Sequence, residues 1–290
     1  MGPVVARRFW RIRTRALITL VPCLVVVFTF VTVGLFAPLL APQNPKTVEL
    51  IHKLEPPVWQ GAGSWKHSLG TDNLGRDELS RLIHGTRVSL TVVGLTVPVS
   101  AVLGVAVGLI AGWYGGFTDK FLMRIVDVQL AMPAILFAIL LAAVFGPSLR
   151  NVIILIIVWN WSGYARVIRG EVLSLRGRDY VLGARAAGAG DLRIVLRHLL
   201  PNLINSIVIL ATLEVASVIL IEAALSFLGV GVAPGTASWG AMVSEGRTFI
   251  SIAWWLVAIP GAAIFLVSLV ANFMGDWLRD ALDPRLKNIR

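Results

Sequence analysis

What most constrains this chain is a series of apolar runs, each close to the length that crosses a bilayer. A helix rises 1.5 Å per residue, so roughly 20 apolar residues span a hydrocarbon layer of about 30 Å. Six such runs are legible, at about 17–40, 90–110, 128–145, 149–164, 203–228 and 250–273. They predict an all-α, polytopic membrane protein with six transmembrane helices folded as one bundle. Composition agrees: 57% of residues are hydrophobic and 14% charged, against about 25% charged in soluble domains.

The first run follows a basic segment carrying Arg7, Arg8, Arg11, Arg13 and Arg15. It is longer than the roughly 7–15 apolar residues of a cleaved signal, so it reads as an uncleaved anchor closed by Pro38 and Pro42. Basic residues then set the orientation. Most of the 26 Lys and Arg fall in the N-tail, in the second-to-third loop (Lys120, Arg124), between Arg166 and Arg197, and in the C-tail (Arg279, Arg285, Lys287, Arg290). These parts are expected on the cytoplasmic side, with both termini. The formal charge of +10 is thereby explained as membrane topology, and a nucleic-acid partner is not required.

Several chemistries are excluded by residue type. Cys23 is the single cysteine, so an internal disulfide or a thiolate cluster has no second member. Four histidines, with His52, His67 and His84 in one hydrophilic loop and His198 in another, leave little for a metal site. No stretch fits the phosphate-binding pattern GxxxxGK[ST], and no nucleophile, base and orienting acid stand at a recognisable spacing. The chain is therefore expected to be non-catalytic and to carry no cofactor. If transport runs uphill, a partner or an ion gradient supplies the energy.

The loop 41–87 is long for a connector. Pro42, Pro45, Pro56 and Pro57 make its first part irregular, and Asp77–Gly85 reads as a short surface helix. It is either a docking surface for an extracytoplasmic partner or a packed cap on the bundle. In the second run Gly104 and Gly108 form a small-xxx-small pair that lets helices approach. Gly112, Gly115 and Gly116 are expected to break that helix at the inner face. Trp159, Trp161, Tyr164, Trp254 and Trp255 read as interfacial anchors.

Glu214 lies well inside the fifth run. A charged residue at that depth costs roughly 2.5–3.5 kcal/mol on insertion scales. It is expected to face the bundle interior, paired with Asn205 or Asn272, either in the transport path or its gate or in a structural hydrogen bond. Glu222 is placed nearer the outer edge. Asp276, Arg279, Asp280 and Asp283 suggest a salt-bridged cap in the C-tail.

Between the fourth and fifth runs lies DYVLGARAAGAGDLRIVLRHLLPN, residues 179–202. Charge and helix-compatible residues between two spans put it at the membrane face. Gly188 and Gly190 permit a tight turn, and Pro201 suits the start of the next helix. The segment either rests in a partner's groove or lies on anionic lipid with Arg185, Arg193 and Arg197 near phosphates.

This segment resembles the coupling loop of inner-membrane permeases in binding-protein-dependent ABC importers. The family pattern is Glu-Ala-Ala, three residues, Gly, nine residues, Ile, one residue, Leu-Pro. Ala184, Gly188, Leu200 and Pro201 match it. Leu182 stands in place of the glutamate, Gly183 in place of the first alanine, and His198 in place of the isoleucine. Arg197-His198 is similar to the peptide branch. So are HSLGTDNLGRDELSRLIHGTRVSL from His67, WSGYARVIRGEVLSLRGRDYV from Trp161, LSFLGVG from Leu225 and NFMGDWLRDALDPRL from Asn272.

The resemblance implies a type I importer permease fold, with tails at 1–16 and 276–290, a first helix at 17–40, an outer loop at 41–87 and a five-helix core at 88–275 containing the coupling loop 166–202. It implies a second, homologous permease subunit, two cytoplasmic ATPases that bind ATP and Mg, an extracytoplasmic solute-binding protein and a di- or oligopeptide cargo. It assigns the ATPase contact to Ala184, Arg185, Gly188, Ala189, Asp191, Arg197, His198, Leu200 and Pro201. The same branch includes permeases for nickel, glutathione and other small solutes. Two readings from other classes are a proton-coupled secondary transporter using Glu214 and a membrane scaffold without transport.

Overall fold

The computed structural model describes residues 20–282. The basic N-tail, the first residues of the first expected span, and Asp283, Arg285, Lys287 and Arg290 lie outside the described residues.

Two helices form the spine. α3 (Glu78–Tyr114) and α6 (Leu149–Leu175) have 37 and 27 residues, and they make the most extensive helix contact in the protein. Glycine makes it possible. A Cβ on Gly108 would lie 2.9 Å from Ile168 Cβ, and one on Gly112 would lie 2.7 Å from Val172 Cβ. Gly104 faces Tyr164 in the same way, at 2.5 Å. The three glycines recur every four residues along one face of α3. In lipid, where apolar surface alone does not drive helices together, such close backbone approach supplies dispersion contact instead. The expectation of a packing role for Gly104 and Gly108 is met.

α9 (Leu200–Phe227) packs on this pair, and α11 (Trp255–Leu282) packs on α9, with Gly275 fitted against Leu213. On the side of the α3 N-terminus, α10 (Trp239–Gly246) lies across the bundle. Trp239 Nε1 donates to Leu82 O at 3.0 Å. The described part of the N-terminal helix, α1 (Leu20–Leu35), leans on the same end through Gly34 against Leu90 and Phe30 against Trp239. The four-residue α2 (Ala37–Leu40) follows it.

The expected six spans are not recovered among the described residues. Four helices are long and apolar enough to cross a membrane, and a fifth span exists only if α4 (Gly116–Ala131) and α5 (Ala134–Phe145) are taken together. These two are bent by 82°. The cause is local. Pro133 is the cap of α5, and Met132 before it is extended at ψ 135°, as the residue before proline prefers. α1 has 16 described residues and ends at Leu35, ahead of Pro38.

Three further expectations are corrected. Asp77–Gly85 is no surface helix: Asp77 caps α3, accepting from Ser80 N at 2.8 Å, and Glu78, Ser80 and Arg81 in its first turn are buried. Gly112 continues α3, and the break falls at Gly115 and Gly116, with φ of 65° and 56°. Tyr164 is buried within α6, which runs on to Leu175, so it is no interfacial anchor.

Candidate functional site

The segment between α6 and α9 is a compact double turn. Arg176 ends α6, its guanidinium donating to Gly112 O at 3.1 Å. α7 (Asp179–Ala186) leads into a turn at Ala187–Gly190, then α8 (Asp191–Ile194). A π-helical turn, Val195–Leu199, joins α8 to α9, so that 191–227 form one continuous helical run. A wide turn of this kind accommodates an extra residue without breaking the helix, and such turns concentrate at functional positions. Pro201 sits in the first turn of α9, directly after the π-helical turn; inside the continuous run its missing N–H removes one backbone bond.

The underside of this segment is built into the bundle. Val181, Ile194, Leu199 and Leu203 are buried with Val105, Leu109 and Trp113 of α3 and Ile168 and Val172 of α6, and Ala184, Ala189 and Leu200 pack against them. The outer side is open. Arg185, Asp191, Arg193, Arg197 and Pro201 are exposed, His198 half-buried. Tyr180, Leu182 and Leu192 are exposed apolar groups, Leu192 at 71%. The Arg185 guanidinium lies 4.8 Å above the Trp113 ring and 4.0 Å from Asp191. At the turn Gly188 has φ 80°, and a Cβ there would meet nothing within 4 Å. Its glycine is set by backbone conformation, since an L side chain strains at positive φ; no crowding within this chain demands it.

At membrane depth the expected acidic group has different partners from those anticipated. Glu214 faces Tyr164 and Asn160 of α6. Asn205 and Asn272 are exposed and take no part. The Tyr164 hydroxyl and Glu214 Oε2 are buried without completed hydrogen bonds. Asn160 and Trp159 also line an apolar cavity of about 200 Å³ bounded by α5, α6 and α9. Glu222, five residues from the end of α9, is fully buried: Ser226 donates to it at 2.8 Å and Ser89 of α3 at 3.5 Å. Asp276, Arg279 and Asp280 are exposed and form no ion pair among the described residues.

Two ion pairs between α4 and α6 went unanticipated. Arg169 holds Asp119 with two bonds of 2.6 Å, and Arg166 meets Asp127 at 2.7 Å. They fix α4 along α6. The i, i+3 spacing of Arg166 and Arg169 was available in the sequence, but the facing acids lie on a helix whose position only folding supplies.

The fold is found in a known transporter. A fold covering 70% of this chain and 96% of the other is shared, at TM-score 0.56 and 19% identity, with a chain of the inward-facing MetNI methionine ABC transporter. The Di/tripeptide transport system permease protein DppC of Pseudomonas aeruginosa is 45% identical over 255 residues, 88% of this chain and 84% of that protein. The Dipeptide transport system permease protein DppC of Escherichia coli K12 is 44% identical over 284 residues, 97% of this chain and 93% of that protein. That of Haemophilus influenzae is 40% identical over 264 residues, 91% and 90%. Residues 104–288, which include the double turn and both helices it joins, match the family described as binding-protein-dependent transport system inner membrane component. The chain belongs to this family, and its helices have the fold of an ABC importer permease.

Proposed function

We propose that this chain is one permease subunit of an ATP-driven importer of di- or oligopeptides. It forms half of a translocation path with a second, homologous permease. The observation that carries the reading is the double turn at 179–199. Its apolar underside is anchored to α3 and α6, its outer face is exposed, and its end runs directly into α9. A short rigid element seated in a partner passes a partner's movement to the helices that hold it.

In this reading Ala184, Arg185, Gly188, Ala189, Asp191, Arg197, His198, Leu200 and Pro201 contribute the contact with a cytoplasmic ATPase, and Leu182 adds an apolar group to it. Each of two such ATPases binds ATP and Mg; this chain supplies the lever. Both termini are cytoplasmic, the membrane is the bacterial inner membrane, and a solute-binding protein delivers cargo to the outer loop. The peptide cargo rests on the named substrates of the relatives. Nickel, glutathione and other small solutes are the alternatives within the branch.

The complex is tested by placing a photocrosslinker at Ala189 and assaying peptide uptake with Gly188→Trp. Crosslinks to the ATPase, and loss of uptake in a variant that still inserts and holds both permeases together, are expected. Normal uptake with Gly188→Trp would refute the docking turn.

Glu214 with its incomplete pairing to Tyr164 supports a second role, in the path or its gate. A proton-coupled carrier rests on the same group. Uptake driven by a pH gradient without ATP, abolished by Glu214→Gln, would favour that carrier over the importer.

A further inference from the structure

The outer loop brings together three side chains that no transport step uses. His52 and Glu55 flank the tight turn that follows a 3-10 turn at Leu50–His52, and His67 ends another at Trp65–His67. One nitrogen from each imidazole and one oxygen of Glu55 lie within 4.8 Å of one another. His67 is fully buried. Its Nδ1 is 3.1 Å from Asp77 Oδ1. A carboxylate only accepts, so Nδ1 carries the proton and Nε2 presents a lone pair. The Gln43 amide, 3.3 Å from the same Nδ1, already donates to Lys66 O at 2.8 Å. His67 Nε2 is buried and has no hydrogen-bond partner. A buried acceptor of this kind calls for an explanation. A histidine backed by a carboxylate, with its second nitrogen free, is how proteins orient a metal ligand.

We propose that His52, Glu55 and His67 bind one divalent transition-metal ion of the zinc class on the outer face of the protein. Two imidazoles and a carboxylate suit zinc, with the fourth position left to water. Calcium and magnesium favour six or more oxygen ligands, and this set offers too few. His52 Nδ1 and Glu55 Oε2 are already 3.0 Å apart in a hydrogen bond, which the ion replaces with a bond to each residue. Glu49 stays outside the set, held by Lys66 Nζ at 2.6 Å. Through His67 and Asp77 the ion ties the Leu50–His52 turn to the capped start of α3. It is a staple for the outer loop, and it stands whatever the cargo.

The full-length chain, purified in detergent and treated with chelator, is titrated with zinc chloride by calorimetry. Cobalt(II) absorption serves as a second probe of the ligand field. One equivalent of zinc is expected, with a rise in the unfolding midpoint. His52→Ala and Glu55→Gln, at partly exposed positions, are expected to weaken binding tenfold or more and to leave the zinc-free midpoint nearly unchanged. Asp77→Asn keeps a helix-capping oxygen and removes the carboxylate behind His67. Losing such a support costs about 10–100-fold in metal affinity. Absence of saturable zinc binding would overturn the proposal. So would affinity unchanged in both His52→Ala and Glu55→Gln, or magnesium binding as tightly as zinc.

Discussion

Two charged regions of this protein, the loop before α3 and the double turn after α6, are built in opposite ways. In the loop before α3 and the helix start it leads into, charged side chains are turned inward and paired. Arg76 and Arg81 share Asp72 and Glu245: Arg76 Nε is 2.6 Å from Asp72, and its Nη2 2.6 Å from Glu245; Arg81 Nη2 is 2.7 Å from Glu245 and its Nη1 also pairs with Asp72. Arg76, Arg81 and Asp72 are buried. In the double turn, Arg185, Asp191, Arg193 and Arg197 remain exposed. A buried network of charges is worth keeping only when each member is satisfied. The buried network therefore fixes the loop to α3 and α10 within one chain. The double turn leaves its charged groups and its apolar Leu182 and Leu192 exposed, the face to which the proposed ATPase contact is assigned. Of the two expectations for the outer loop, packed cap and docking surface, the structure supplies the cap directly, and the cap leaves an outer surface on which a partner can still dock.

The comparison breaks first at Arg81. Replacing it with Met leaves Asp72 without one of its two buried cations, and breaking a buried pair costs about 3–5 kcal/mol. The expected result is a large fall in thermal midpoint in detergent, or a chain degraded before assembly. A variant as stable as the parent would show that the loop before α3 is not closed by charge. Next comes the spine between the two regions. Gly108→Leu forces a side chain into Ile168, and overpacking of this kind costs roughly 1–3 kcal/mol. It should lower the midpoint and weaken both regions together.

In the double turn the expected stability changes are smaller, although the effect on transport is not. Arg185→Ala removes the cation over Trp113, worth about 0.5–1 kcal/mol at an exposed site. A midpoint nearly unchanged alongside reduced ATPase coupling would sharpen the contrast. A large fall in midpoint would make Arg185 a structural residue like Arg81. The smallest effect belongs to Glu49. Its hydrogen bond from Lys66 holds its carboxyl below the usual value of 4.5. A depressed folded value stabilises the native state above the unfolded pKa, and the contribution fades as pH falls through the folded one. The midpoints of the parent and Glu49→Gln should therefore differ slightly at neutral pH and converge in acid below about 4.5. A difference that grew in acid would reverse the assignment.

Much of the frame was legible because hydropathy is additive along the chain. Spans at α3, α6, α9 and α11, the surface location of 179–202 and the positive φ at Gly188 all follow from local residue types. The bend at Met132–Pro133 was equally local, and the proline was its signal; an unbroken apolar run outweighed it in the reading of residues 128–145. Other features had no local signal. The position of Glu222 in its run says how deep it lies and not that it is buried against Ser89, which is on a different helix. Glu214 reads as pairing with Asn205 or Asn272, yet its neighbours are Asn160 and Tyr164 of α6.

The sequence by itself determined that the chain enters a membrane repeatedly, which way its charge is distributed, and where a turn-bearing segment lies between spans. These depend on transfer free energies and backbone preferences, both properties of short stretches. Only tertiary structure decided which charges meet. Asp72 and Glu245 are remote in sequence and share two arginines, while His52, Glu55 and His67 gather around one point. Pairing energies depend on separation in space and on local burial, and neither is defined until the helices have packed.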